Sequence, residues 1–162
     1  MECDFMKKRI VFVLVLVCTL VFAGCNNTEQ EQVSTYSFHG EHEYFTISNG
    51  SIILSDTEEV FDGGDLEVTQ SGLFEEVASY STTFYTFTNG ERKNISSHTV
   101  IDQTGSSANL NGDIGKMSGE GCVISNRIKS MDEWKENLWF ELKTTDFNGE
   151  ENVYQIQLTL TE

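Results

Sequence analysis

Proline is absent from all 162 residues, and positive charge is scarce, with 10 Lys and Arg against 26 Asp and Glu. Without proline no turn is set by a locked φ, so the chain must turn at its 13 glycines and at Asn and Asp. A net charge of −16 repels nucleic acid and anionic lipid head groups, so no nucleic-acid partner is expected. Cysteine is nearly as sparse. Cys3, Cys18 and Cys25 crowd the start, so Cys122 stands alone in the rest of the chain. An intramolecular disulfide is therefore not expected there. Cys122 sits in the apolar setting Gly121-Cys122-Val123-Ile124, where a buried, inert thiol is expected. Long apolar runs are missing too. Ile10–Phe22 has 13 residues, short of the roughly 20 needed for a permanent membrane-spanning helix. No Gly-x-Ser-x-Gly elbow, phosphate loop or dinucleotide fingerprint occurs.

What is present at the start is organised. Lys7-Lys8-Arg9 precede the apolar run, which ends in the small pair Ala23-Gly24 and then Cys25. A cationic start, an apolar stretch and small residues at the cut are the parts of an export signal. The segment resembles a bacterial lipoprotein signal peptide, with Cys25 at the lipobox cysteine and Phe22 where leucine is commonest. The resemblance covers about the first 25 residues. It implies cleavage before Cys25, a diacylglycerol thioether on that residue, and an extracytoplasmic protein anchored to the cell membrane through lipid. Met6-Lys7-Lys8-Arg9 makes a more usual opening than Met1-Glu2-Cys3-Asp4, so Met6 is an alternative start. Asn26 lacks the Asp that often signals inner-membrane retention, which leaves an outer-membrane anchor open.

Residues 1–24 are thus expected to be a signal peptide, 25–34 a lipidated polar tether, and 35–162 one domain. From Cys25 onward, seven Lys and Arg face 24 Asp and Glu, a net charge of −17. Within this part, short β-branched and aromatic stretches alternate with turn residues. Asn152–Thr161 has period 2, with Tyr154, Ile156, Leu158 and Leu160 on one face. Leu138–Thr145 repeats the pattern with Leu138, Phe140 and Leu142. The two predict a C-terminal hairpin over 138–160, joined at Asp146-Phe147-Asn148-Gly149. Ser79–Thr88, Asn89-Gly90 and Arg92–Ile101 predict a second hairpin. Thr35–His39, Tyr44–Ser48, Ser51–Ser55 and Leu66–Gln70 read as earlier strands, with turns at Asn49-Gly50 and Asp62-Gly63-Gly64-Asp65. Ala108–Leu110 and Cys122–Ile128 are further strand candidates, and Met131–Leu138 is a short helix candidate. Eight or nine strands in about 130 residues predict an all-β, two-sheet antiparallel sandwich, immunoglobulin-like in spacing. Tyr44–Ser48 and the C-terminal strand are expected at open sheet edges.

Three kinds of site are worth weighing. His39 and His42 in His39-Gly40-Glu41-His42-Glu43 could reach one zinc ion, which would support a small metal-dependent enzyme. Asp56, Asp62 and Asp65 lie in an acidic run, and Asp146 and Asn148 in a second acidic turn. Such oxygen-rich loops suit calcium, giving a calcium-dependent surface module. Tyr80, Tyr85, Trp134 and Trp139 are candidate contact aromatics, since rings on an open sheet face can dock a protein or stack on a sugar. With three histidines and no hydrolase motif, the leading expectation is a non-catalytic binding or structural module. Its partners would be membrane lipid through Cys25 and an envelope protein or cell-wall polymer.

Overall fold

The computed structural model describes residues 33–119 and 134–162. Cys25, Cys122, the strand candidate Cys122–Ile128 and the first three residues of the helix candidate Met131–Leu138 lie outside the described residues. Among the described residues no helix is long and apolar enough to cross a membrane.

The strands form where apolar and polar residues alternate. They are β1 (Ser34–Glu41), β2 (Phe45–Leu54), β3 (Glu59–Asp62), β4 (Asp65–Val68), β5 (Val77–Thr88), β6 (Glu91–Ile101), β7 (Gly112–Asp113), β8 (Lys116–Gly119), β9 (Leu138–Asp146), β10 (Glu151–Gln157) and β11 (Thr159–Thr161). A short 3-10 turn, Ser71–Phe74, precedes β5. In β9, Leu138, Phe140, Leu142 and Thr144 are buried, while Trp139, Glu141, Lys143 and Thr145 face outward and are partly covered. The two antiparallel sheets predicted from the sequence are present. One runs β11-β1-β2-β3-β8, with β4 on β2 and β7 on β4; the other runs β10-β9-β5-β6. Between them lies a core of phenylalanines. Phe84 meets Phe61 and Phe140 at 5.0 Å each and Phe38 at 5.6 Å, and Phe45 meets Phe140 at 5.9 Å. Each fully buried ring contributes on the order of 2–3 kcal/mol of hydrophobic stabilisation.

Two of the predicted turns are not turns. Asn49-Gly50 lies inside one continuous strand, β2. Ser51–Leu54 pairs with β3 and Phe45–Ser48 pairs with β4. The segment Gly63-Gly64 between β3 and β4 therefore lies opposite Asn49-Gly50, and β3 and β4 continue one another. The next ribbon is interrupted at the same level. Gly63 donates its N–H to Gly115 O and Ile114 donates to Gly64 O, both at 2.9 Å. On the other side, β1 carries a register shift between Phe38 and Gly40. One transverse line of irregular backbone thus crosses four neighbouring ribbons and bends the sheet. Glycine is required on it. A Cβ on Gly50 would overlap the Phe38 ring, and one on Gly64 would overlap the backbone of Ser48–Gly50. The real reversal between β2 and β3 is Ser55–Glu58, where the Glu58 N–H donates to Ser55 Oγ at 2.8 Å. At Asn89-Gly90 the hairpin prediction holds. Both residues have positive φ, 54° and 79°, as a tight two-residue hairpin turn requires.

Other boundaries moved. The predicted strand Asn152–Thr161 breaks at Leu158, whose N–H donates to Leu138 O at 2.8 Å. The chain leaves one sheet as β10 and joins the other as β11. Ala108–Leu110 is irregular, held by the Ala108 N–H on Val77 O at 2.8 Å, with Ala108 and Leu110 buried. Trp134 and Lys135 are helical, and Leu138 opens β9 instead of closing a helix. Tyr44–Ser48 is no open edge, because its strand part lies between β1 and β4. The C-terminal strand does lie at sheet edges, β10 in one sheet and β11 in the other.

Candidate contact face and acidic turns

The candidate metal ligands are spread over separate tasks. His39 is exposed on β1. His42 lies flat on Phe45 at 4.8 Å and 10°, close to Tyr44 at 5.1 Å and Tyr154 at 5.6 Å. Its Nδ1 accepts the Tyr44 N–H at 3.3 Å. Asp56 is exposed in the β2–β3 turn. Asp62 accepts the Gly64 N–H at 3.0 Å, and Asp65 accepts Asn49 Nδ2 at 2.8 Å. Asp146 Oδ1 accepts the Asn148 N–H at 2.8 Å and the Glu150 N–H at 2.7 Å. These bonds, the one from Glu150 foremost, hold the Asp146 carboxyl below the usual range. Asn148 turns its Nδ2 to Asp146 Oδ2 at 3.3 Å. The aspartates at 62, 65 and 146 thus serve as acceptors that shape local backbone. Among the described residues, no three His, Cys, Asp or Glu side chains gather as a metal-ligand set. The two acidic loops also stand apart. A Cβ on Gly63 would touch Phe84 at 3.0 Å, whereas Asp146 pairs with Val77. Phe84 and Val77 lie seven residues apart on β5, roughly 24 Å at about 3.4 Å per residue.

The four candidate aromatics divide between the two faces of the smaller sheet. Trp134 is 2% exposed and belongs to the core, and Tyr80 packs against it from β5. Burial raises the Tyr80 pKa. Tyr85 and Trp139 are register partners on the outer face. Their rings stack at 6.4 Å and 20°. Phe87 closes edge-on at 5.5 Å to Tyr85 and 6.4 Å to Trp139. On the far side of Tyr85 the Arg92 guanidinium lies 3.8 Å from the ring centroid. Trp139, Tyr85 and Arg92 form a stack across three strands, which explains how Tyr85 is only 1% exposed on an outer face.

A polar clamp holds the stack. Arg92 Nη1 and Nη2 donate to the two Glu141 oxygens at 2.7 and 3.0 Å. Gln155 Nε2 donates to Glu141 at 2.7 Å, and Arg92 Nε donates to Asn94 at 3.0 Å. Asn137 accepts the Phe87 N–H at 3.2 Å and donates to the Phe87 carbonyl. The Arg92 hydrogen bonds hold the Glu141 carboxyl below the usual range, and Glu141 in turn raises Arg92. For Tyr85, burial raises the pKa while Arg92 pulls it down. Sequence reading found the rings and missed Arg92 and Glu141. They stand 49 positions apart, and only the cross-strand placement of Arg92 opposite Phe87 after Asn89-Gly90 offered a signal. His98 is exposed on β6, opposite Thr82.

The clamp has a pH signature. A carboxyl with a depressed native pKa stabilises the fold above its unfolded value, about 4.3, and loses that contribution as pH falls through the native value. Arg92 is a third exposed and Glu141 less so, at 34% and 16%, so the pair should contribute about 1 kcal/mol. The stability gap between the protein and Glu141→Gln is expected near that size at pH 7 and near zero at pH 3, read from urea midpoints. A gap that does not change with pH would contradict the assignment.

The outer face thus joins a ring stack, an exposed Phe87 at 42% and a neutralised, bidentate ion pair. Such groups offer contact area and fixed hydrogen-bonding direction. No family model, curated protein or solved structure matches the chain.

Proposed function

We propose that this chain is an extracytoplasmic lipoprotein, anchored through a diacylglycerol thioether on Cys25. It works there as a non-catalytic binding module whose contact surface is the outer face of the β10-β9-β5-β6 sheet. The carrying observation is the Trp139–Tyr85–Arg92 stack with Phe87 beside it. Aromatic and Arg side chains already locked in place lose little entropy on contact, which favours binding. Lipid attachment would hold the domain near the envelope surface, so a weak contact with an envelope protein or cell-wall polymer becomes effective. The opening resemblance to a lipoprotein signal supports the anchor.

Two readouts test the proposal. Metabolic labelling with an alkynyl fatty acid is expected to mark the protein, and Cys25→Ala is expected to abolish the label. Crosslinking of intact cells is expected to join the protein to an envelope partner, and Trp139→Ala with Phe87→Ala to remove most of that product while the thermal midpoint stays cooperative. An unlabelled wild-type protein would remove the anchor. Crosslinks indifferent to both substitutions would remove the face.

A further inference from the structure

The smaller sheet ends in β10 on one side and β6 on the other. An edge strand offers unpaired N–H and C=O groups to another chain unless it is short, bulged or guarded by charge. The edges of this fold differ in that respect. β11, β7 and β8 have three, two and four residues. β6 begins Glu91-Arg92-Lys93 and is broken by the extra residue Ile95 opposite Phe84 and Tyr85. β10 is regular instead. Its seven residues pair with β9 without a register shift, and it contains no Lys, Arg or Pro.

Which groups of β10 are free follows from the hydrogen bonds at its two ends. Asp146 donates its N–H to Glu150 O at 3.0 Å, and Leu158 donates to Leu138 O at 2.8 Å. Both bonds continue the β9–β10 register, so even-numbered residues of β10 turn their main chain toward β9. Glu151, Val153 and Gln155 turn theirs outward. Among the described residues no strand meets them. Gln157 is covered, because a Cβ on Gly40 of β1 would lie 3.7 Å from its carbonyl oxygen. The Val153 side chain is 54% exposed on the outer face, beside its register partner Lys143. Lys143 in turn holds Glu151 at 2.7 Å. The open edge is therefore apolar at its centre and balanced in charge, on a chain of net charge −16.

We propose that this edge pairs with the same edge of a second copy of the chain, antiparallel and centred on Val153. Val153 then lies opposite Val153 of the second copy and buries its exposed side chain, while Glu151 lies opposite Gln155. The outward N–H and C=O groups of all three residues find partners, and no like charges stand opposite one another. A cationic segment of another protein is drawn to the acidic surface at large, but at this edge it would meet Lys143 beside Val153. The uncharged centre of a second copy fits there without repulsion. The two-fold axis stands perpendicular to the sheet, so the outer faces of both copies join side by side. The pairing depends neither on lipidation nor on the contact proposed for the outer face. The stretch Glu151–Gln155 alone falls short of the roughly 1,200 Å² of a stable interface, so the pair is weak and has to be trapped to be read.

The test is disulfide trapping of the full chain in neutral detergent, with micelles in large excess over protein. Paired Val153 residues bring their Cα atoms to about 5.5 Å, within disulfide range. Val153→Cys is expected to form a covalent dimer about tenfold faster than Ile101→Cys. Ile101 is 65% exposed at the opposite edge of the sheet. The wild-type chain measures the background from its own four cysteines. Register is read by mixing Glu151→Cys with tagged Gln155→Cys. The mixed dimer is expected to form, whereas either variant alone would hold its two new thiols about 14 Å apart, too far to bridge. Because both copies are acidic, raising salt from about 0.02 M to about 0.5 M should speed the trapping. All four positions are exposed, so the variants keep the fold. Equal rates for Val153→Cys and Ile101→Cys, a mixed pair no faster than the single variants, or trapping slowed by salt would overturn the pairing. In intact cells, an adduct of Val153→Cys with a different protein and no homodimer would overturn it as well.

Discussion

Gly64→Ala is expected to abolish the cooperative fold, at a cost above about 4 kcal/mol. Gly64 has φ of +71°, and its Cβ would overlap backbone atoms of Ser48, Asn49 and Gly50. Side chains can rotate away from a clash, but these atoms belong to the strand that pairs with both β3 and β4. Relief requires opening the sheet at its bend line. The measurement is a urea or thermal melt followed by near-ultraviolet circular dichroism. Gly72→Ala provides the control. Nothing lies within 4 Å of its Cβ and its φ is not in the left-handed region, so the change should stay within about 0.5 kcal/mol. Equal stability of the two variants would show that the bend line tolerates a side chain.

Phe84→Ala should be the most damaging ring deletion, costing about 3–5 kcal/mol. The ring is 1% exposed and bridges the sheets. It meets Phe61 and Phe38 of the larger sheet and Phe140 of its own. Gly63 also packs on it, so the cavity left behind adjoins the bend line, where the backbone has little room to collapse inward. Phe84→Leu retains most of the volume and should cost about 1–2 kcal/mol. An unchanged urea slope in both variants would confirm that stability moved and not the extent of unfolding. By contrast Phe87, 42% exposed, should lose much less on truncation, which keeps its binding test readable.

Much of the architecture was legible along the chain. Alternation in 138–145 and 152–161 and the β-rich run 79–88 identified strands and their buried faces, because a strand's two sides repeat every second residue whatever it pairs with. Asn89-Gly90 marked a hairpin, since both residues accept positive φ. The same dipeptide at Asn49-Gly50 misled. There the positive φ of Asn49, 59°, is held by its side chain on Asp65, and the glycines across from it let the strand bend instead of reversing. An Asn-Gly pair permits either outcome, and the neighbouring strand chooses.

For the candidate sites the division is similar. The sequence by itself determined that the described part is all-β, that it turns without proline, that acid dominates its charge, and that Tyr85 and Trp139 were rings worth watching. Tertiary structure alone decided that these two rings meet on the outer face and that Tyr80 and Trp134 go to the core side. It also joined Arg92 to Glu141 over 49 intervening steps and turned Asp62, Asp65 and Asp146 to local backbone and side-chain donors. The reason is physical. Periodicity and turn propensity are local, carried by a few successive residues. Which side chains meet is set by strand register and by how two sheets lie together, and those depend on pairings between distant segments that leave no trace in the order of neighbouring residues.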